Sequence, residues 1–418
     1  MYIRRAIEKT LRQAEKGFKS VLVTGARQCG KTTMLMHVHQ RLPYLTFDDP
    51  VLRADAAGEP GLFFMNHRLP LLLDEVQYAT ALFPYIKMEC DRSQKRGQIL
   101  MTGSQQYRLM RDVSESLAGR VAILEMSCLS LRELTGDPFS DVFFPDDTYV
   151  QRRAKTVKKT GDIWSVIHRG GYPALTDRRV DWQTFFSSYV QTYIERDIND
   201  LEKVKDKLKF TRFLTAVAAQ TGCLLNYTKL AEYADITPAT AKEWISLLEA
   251  SGIIYLLQPF SNSALRRAVK TPKLYFRDTG LACYLTRHQS PQTAMTGAMA
   301  GELFETFVVS EILKSYSNAG KDYRMYATYY RGRDKIRKQQ NGNRTVREAE
   351  IDLLLEQDGM LCPVEIKMSA NPSLSMTDAF DVLDQINGKV RGKGTVICMY
   401  PQPIQLNERN MALPVGYI

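Results

Sequence analysis

The sequence predicts an α/β protein built from several units, and three observations predict it. A short apolar strand, Val21–Val23, runs into a glycine-rich loop and then into a helix-like stretch, Met34 to Leu42. Further apolar strands alternate with helical segments as far as about residue 102, which is the pattern of a parallel sheet covered on both faces. Near the other end, two alternating strands flank Asp358-Gly359, a favoured two-residue hairpin turn.

The loop is Gly25, Ala26, Arg27, Gln28, Cys29, Gly30, Lys31, Thr32, followed by Thr33, and it fits G-x-x-x-x-G-K-[ST] in the required strand–loop–helix context. Each residue type answers a need of a bound triphosphate. Gly25 and Gly30 give access to backbone angles closed to other residues, so successive N–H groups can converge on phosphate oxygens at the positive end of the helix. Lys31 is placed to reach the β- and γ-phosphates, and the Thr32 hydroxyl to hold Mg²⁺. ATP and Mg²⁺ are therefore the expected cofactors. Cys29 contributes only its backbone.

Tyr44 to Phe47 reads as a second strand and Leu69 to Glu75 as a third. An apolar strand ending in an acidic pair assigns Asp74 to Mg²⁺, through water, and Glu75 to the attacking water. A fourth strand, Gln98 to Thr102, ends in Gly103-Ser104-Gln105. Polar side chains there stand beside the acidic strand, where a γ-phosphate sensor belongs; Ser104 or Gln105 takes that role, or the segment is a plain turn.

GARQCGKTT, YLTFDDP, LLLDE, LMTGS and Ser116-Leu117-Ala118-Gly119-Arg120 together resemble a prokaryotic family of AAA-type ATPases. The match continues through Gly170-Gly171-Tyr172-Pro173, the stretch Tyr193 to Ile198 and the stretch Lys273 to Leu281, so it covers nearly the whole chain. The resemblance implies an ATP hydrolase with a C-terminal domain of unknown function. It also singles out Arg120 and Arg196 as arginines that could contact the γ-phosphate, in cis or from a neighbouring subunit, or serve as structural ion-pair partners.

From about Thr148 to Leu208 the chain is helical in pattern, with Trp182, Phe185, Phe186, Tyr189 and Tyr193 as an aromatic stripe that reads as core. Lys207 to Phe260 then reads as three helices and a strand, with Ile253 to Leu257 and Lys273 to Phe276 as a hairpin: a winged helix. In the third helix Ala241, Trp244, Ile245 and Leu248 form the buried stripe. That leaves Ala239, Thr240, Lys242, Glu243, Ser246 and Glu249 outside, and two acids against one lysine make a poor groove reader. The basic residues Arg266, Arg267, Lys270 and Lys273 are instead expected at the hairpin, where they could meet nucleic acid; protein docking is the alternative.

Around Asp358-Gly359 the turn fixes a register in which Asp352 faces Glu365 and Glu350 faces Lys367, all four on one side of the sheet. Two opposed carboxylates repel unless a cation bridges them. A second divalent metal at Asp352 and Glu365 is the expected answer, with Lys367 orienting water or stabilising phosphate. The blander account is a solvated face with a Glu350–Lys367 salt bridge. Asp, then Glu-x-Lys on the next strand, resembles the core of restriction-endonuclease-like nucleases, and Glu305 on the preceding helix matches an additional acid that some of them use.

Composition sets the outer bounds. The 418 residues, 44% hydrophobic and 24% charged, are ordinary for a globular protein of several domains. No apolar run is long enough to span a bilayer, so the expected location is the cytoplasm. Seven scattered cysteines and five histidines indicate neither a disulfide framework nor a zinc site. The net charge of +10 gathers in short runs, Arg152 to Lys159 and Arg331 to Arg347, which are either solvated loops or a phosphate-backbone footprint for DNA or RNA. The expected order is a P-loop ATPase core (1–140), a helical lid or connector (141–205), a winged helix (206–277), a linker (278–298) and a nuclease-like α/β domain (299–418). Nucleic acid or a protein is the expected partner, and an oligomer is allowed.

Overall fold

Why the P-loop sits where it does follows from strand order. The computed structural model of the chain describes residues 2–103, 117–194, 206–262, 271–333, 337–338, 344–345 and 348–418. Five parallel strands, β1 (Ser20–Thr24), β2 (Tyr44–Thr46), β3 (Leu71–Asp74), β4 (Ile99–Gly103) and β5 (Val121–Glu125), lie in the order β2-β3-β4-β1-β5. β1, β3 and β4 are buried throughout, as a sheet covered on both faces requires. Because all strands run the same way, the ends of β1, β3, β4 and β5 share one edge, which collects Gly25, Asp74, Gly103 and Glu125.

Strand β5 pairs with β1 so that Val121 stands opposite Ser20. Arg120 therefore lies at the starting edge of the sheet, roughly 16 Å of strand away from the P-loop at about 3.3 Å per residue. It makes a bidentate pair with Asp91 at 2.7 and 3.0 Å. The pair with Asp91 is the ion-pair role that the sequence also allowed for Arg120. Ser104, Gln105 and Arg196 fall outside the described residues.

The middle of the chain is helical. α1 (Ile163–Arg169) and α2 (Trp182–Tyr189) carry the aromatic stripe inward: Phe186 and Tyr189 are buried, with Tyr172, Phe185 and Tyr284 packed around them. α3 (Lys207–Ala218), α4 (Tyr227–Ala234) and α5 (Pro238–Ala250) follow, then the antiparallel hairpin β6 (Ile254–Leu257) and β7 (Lys273–Phe276). Thr237 caps α5 by accepting from the Thr240 amide, and Pro238 occupies the first turn. Trp244 packs edge-on against Phe210 and Phe213, both centroids at 5.2 Å, while Lys242, Glu243 and Ser246 face out as expected and Glu249, expected outside, is half-buried. The segment 278–298, expected as a linker, is instead two helices, α6 (Thr279–Leu285) and α7 (Pro291–Thr296), because Leu281, Ala282 and Cys283 are apolar enough to be buried against α1.

The C-terminal unit wraps a mixed sheet around one central helix, α8 (Ala300–Asn318). Its main strands are β8 (Ala327–Arg333), β9 (Glu348–Gln357), β10 (Met360–Lys367), β11 (Gly394–Cys398) and β12 (Asn410–Pro414), in the order β12-β11-β10-β9-β8. Asp358 and Gly359 both have positive φ, 51° and 82°, which gives the tight hairpin turn. The observed register pairs Leu353 with Val364 and Leu355 with Cys362, as the turn dictates.

This unit is bound to the P-loop unit by buried polar contacts. Glu311 accepts from the Leu131 amide at 2.7 Å and Lys314 donates to the Leu129 carbonyl at 3.1 Å. Arg132, Tyr149 and Arg153 hold the main-chain oxygens of Ile418, Tyr417 and Gly416 at 2.9, 2.8 and 2.7 Å. Arg153 is thus a buried tie, also paired with Asp137 at 2.6 Å, and not part of a solvated or phosphate-binding run. Among the described residues, no helix is long and apolar enough to cross a membrane.

Candidate functional site

The glycines of the P-loop are required by the geometry. Gly25 has φ +143°, and a Cβ there would lie 2.1 Å from the Met126 carbonyl oxygen; Gly30 has φ +93°. Between them Gln28 also takes a positive φ, 60°. Lys31 is buried and folds back on the loop, donating to the Gly25 and Ala26 carbonyls at 3.0 and 2.9 Å. The loop is braced from behind by Arg5, whose guanidinium donates to the Cys29 carbonyl at 2.7 Å and pairs with Glu133 at 2.9 Å.

Asp74 is the centre of the acidic edge. Its Oδ1 accepts from Thr32 Oγ1 at 2.6 Å and from Thr102 Oγ1, and its Oδ2 accepts from the Tyr44 hydroxyl at 2.8 Å. Burial, and then the bond to Asp74, push the Tyr44 hydroxyl up to about 12. Thr102 Oγ1 also accepts from the Glu75 amide at 3.1 Å, so one hydroxyl fixes both acidic residues. Glu75 has φ 55° and is held by Gln77. Thr32 and Asp74, a hydroxyl and a carboxylate from the loop and the acidic strand, are thus brought into direct hydrogen-bond contact, oxygen donors of the type that Mg²⁺ prefers. Thr33 is the third residue of the helix that follows, Lys31–Val38. Sequence spacing points to Thr32, Asp74 and Glu75 but not to Thr102, Tyr44 or Arg5, whose roles depend on partners 24 or more positions away.

The hairpin β6–β7 touches this edge. Gly252, in the turn leading into β6, has φ +71° and packs against Ala26, where a Cβ would stand 3.3 Å from the Ala26 nitrogen. Arg277, directly after β7, pairs with Glu125, the residue opposite Thr24 in the sheet, and donates to the Tyr323 hydroxyl at 3.1 Å.

In the C-terminal unit the sequence-chosen residues do come together. Lys367 Nζ lies 2.6 Å from Glu365 and 3.5 Å from Asp352, and the Ile366 amide donates to Asp352 at 3.0 Å. Glu305 of α8 joins them from the other side. What the register did not reveal is Lys273. Expected as an exposed basic residue for nucleic acid, it is 3% exposed and stands 2.9 Å from Glu350, 3.3 Å from Glu305 and 3.4 Å from Asp352. Glu350 thus pairs with Lys273, not with Lys367, because β9 shifts its register against β8 between Ile351 and Leu354 and leaves its pairing with β10 beyond Leu353.

Burial opposes the charge on Lys273, but the carboxylates of Glu305, Asp352 and Glu350 outweigh it and hold the ammonium above its ordinary range. Burial first, and then the Asp352 charge, push Glu305 and Glu365 each up to about 7. Glu365 Oε2 is buried and has no hydrogen-bond partner. Four carboxylates share two ammonium groups, so an orphaned oxygen and a shortage of positive charge both fit one further cation. Among the described residues, however, no group of three or more His, Cys, Asp or Glu is arranged to hold a metal ion.

Comparison with known proteins follows the same division. Residues 17–135 match the family described as AAA domain, residues 160–292 a domain of unknown function (DUF8612), and residues 300–418 a second domain of unknown function (DUF4143). Uncharacterized proteins of Mycobacterium bovis and Mycobacterium tuberculosis are each 28% identical over 376 residues, covering 89% of this chain and 75% of theirs. Among solved structures, the Walker-type ATPase PABY2304 of Pyrococcus abyssi aligns at 13% identity with a TM-score of 0.39, over 68% of this chain and 96% of that one. A RuvB variant of Thermotoga maritima aligns at 16% identity with a TM-score of 0.31, over 60% and 88%. The P-loop unit described above is thus the part of the chain that is similar to AAA domains.

Proposed function

We propose that this chain is a Mg²⁺-dependent ATPase that couples its nucleotide state, through a winged helix formed by α3, α4, α5 and the β6–β7 hairpin, to a nuclease-like C-terminal domain acting on nucleic acid. Lys31 and the loop amides bind the phosphates, Thr32 and Asp74 hold Mg²⁺, and Glu75 polarises the attacking water. Mg²⁺, held there, would supply charge neutralisation to the phosphates. Arg120, at the far edge of its own sheet, enters this scheme only from a neighbouring copy. In the C-terminal domain Asp352, Glu365 and Glu305 would be the candidate ligands of a divalent metal, and Lys367 would act on the phosphate or the water.

The observation that carries the reading is the meeting of Asp352, Glu365, Lys367 and Glu305, from two strands and a helix, at one spot. The lysine-neutralised state of that spot favours a second reading, an ATP-controlled protein-interaction switch whose C-terminal domain only binds. Incubating the full chain with single- and double-stranded DNA and RNA, with Mg²⁺ or Mn²⁺ and with or without ATP, separates them. The first reading expects metal-dependent cleavage that responds to ATP and is lost in Lys367→Ala. Intact substrate under every condition would leave the switch.

A further inference from the structure

Helix α3 turns outward a face that is apolar at its floor and basic at its walls. Leu208 is 63% exposed, and the hydroxyls of exposed Thr211 and Thr215 fold back on the carbonyls of Lys207 and Thr211 at 2.9 and 3.1 Å, which leaves their methyl groups outward. Two hollows adjoin on this face, about 730 Å³ between α3 and α4 and about 800 Å³ between α3, α2 and α6, and Thr211, Thr215 and Arg287 line both. Among the described residues no carboxylate lines the first hollow, whereas Arg212, Lys229 and Arg287 do, and their side chains make no hydrogen bond or ion pair there. The acid that acts on Arg212 from outside, Asp235, is already paired with Lys209 at 2.7 Å.

Arg287 stands where the backbone favours glycine. It follows α6 with φ 61°, its amide donating to the Tyr284 carbonyl at 3.1 Å and the His288 amide to the Cys283 carbonyl at 2.9 Å, the helix ending that glycine most often completes. A left-handed arginine costs stability, and no side-chain partner among the described residues offsets that cost.

We propose that the groove along α3, walled by α4 and α6, is a docking site for an acidic amphipathic peptide segment of a partner protein. Its apolar side chains seat against Leu208, Leu224 and Tyr233, and its carboxylates meet Arg212, Lys229 and Arg287. Three cations without a counter-ion in one hollow select a polyanion. Exposed Leu208 and Tyr233 favour a polyanion that also brings apolar groups, as an amphipathic peptide does and a phosphate backbone does not. From Leu208 to Ala219 the face is about 16 Å long at 1.5 Å per residue, room for about three turns of a docked helix. The site is independent of the chemistry proposed for the P-loop and for the C-terminal domain.

Fluorescence anisotropy on the full chain tests this with three labelled peptides about 11 residues long. One carries leucine and phenylalanine at i, i+3, i+4 and i+7 with acids elsewhere, one has lysine in place of every acid, and one has serine in place of every apolar residue. The first is expected to bind about tenfold tighter than either of the others, or more. Arg212→Glu/Lys229→Glu should weaken the first peptide about tenfold and strengthen the lysine peptide, a reversal that misfolding cannot produce. Arg287→Gly should weaken the first peptide about fivefold while keeping or raising the melting temperature, because glycine relieves the left-handed backbone. Equal binding of the three peptides, or binding of the first that ignores these substitutions, overturns the docking site. A lower melting temperature in Arg287→Gly assigns that side chain to the fold and overturns its part in docking. A short single-stranded DNA that binds more tightly than the acidic peptide and is lost in Arg212→Glu/Lys229→Glu overturns the choice of partner.

Discussion

Replacing Thr102 by valine removes one buried hydroxyl and almost nothing else. Thr102 is fully buried; its Oγ1 donates to Asp74 and accepts from the Glu75 amide at 3.1 Å. Valine keeps the shape, so the change is electrostatic: a hydrogen bond to a carboxylate is lost, about 1.5–3 kcal/mol, and a backbone N–H loses its acceptor, about 1–3 kcal/mol. At about 1.4 kcal/mol per factor of ten, the second term makes exchange of the Glu75 amide roughly 5- to 150-fold faster. Hydrogen–deuterium exchange of the peptide spanning Leu71 to Tyr78 reads this locally, so the result does not depend on two-state unfolding of a multidomain chain. Thr102→Ser keeps the oxygen, loses one methyl group, and should stay near wild type. ATP turnover should fall about tenfold in the valine variant alone, since Asp74 and Glu75 lose their shared anchor. Wild-type protection of that peptide in Thr102→Val would refute the bridging role.

Four further outcomes are expected. Lys31→Ala should abolish nucleotide binding measured with a fluorescent nucleotide, whereas Glu75→Gln should bind normally and lose turnover, because Glu75 acts chiefly in the transition state; equal turnover in Glu75→Gln and wild type removes it from the mechanism. Gly25→Ala, whose Cβ would meet the Met126 carbonyl at 2.1 Å, should weaken nucleotide binding by about tenfold or more, and unchanged affinity would mean the loop does not need this glycine. Arg277→Met strands Glu125, which among the described residues keeps only Arg324 at 3.9 Å as an ion-pair partner, and should lower thermal stability by about 2–3 kcal/mol, most of it restored in Arg277→Met/Glu125→Gln; a double variant no better than the single one contradicts an ion-pair effect. If nucleic acid binds, neutralising Arg266, Arg267 and Lys270 should reduce its affinity and the salt dependence of binding, while Lys242→Ala, on the outer face of α5, should change neither by more than about twofold.

Local chemistry was legible in the sequence wherever a short spacing dictates geometry. The loop from Gly25 to Thr32 carries its own backbone requirements, and the Asp358-Gly359 turn sets the pairing of Leu353 with Val364. The buried stripe of α5 followed from helical period, and Thr237-Pro238 marked its start. What stayed hidden depends on distance along the chain. Lys273 reads as one more basic residue near Arg266 and Lys270, and only the meeting of β7 with α8 and β9 turns it inward. Arg120 follows a glycine in a suggestive motif, yet parallel pairing of β5 with β1 puts it at the wrong end of the sheet. Arg153 sits in a charged run but finds Asp137 and the Gly416 carbonyl. In each case charge is plain in the sequence, while its partner is a tertiary fact.

The contacts that bind the last three residues and α8 to the P-loop unit and the helical segment after it limit the kind of motion the molecule can use. Swinging the two units apart on a hinge would expose the main-chain oxygens of Gly416, Tyr417 and Ile418 together with the Glu311 and Lys314 contacts, at about 0.5–1.5 kcal/mol for each neutral hydrogen bond and more for the charged ones. Small sliding of packed surfaces keeps those bonds and still allows a thin element between the units to advance or retreat by a fraction of a side chain's length. Nucleotide-dependent change in this protein is therefore expected as shear, with scattering profiles nearly alike with and without nucleotide.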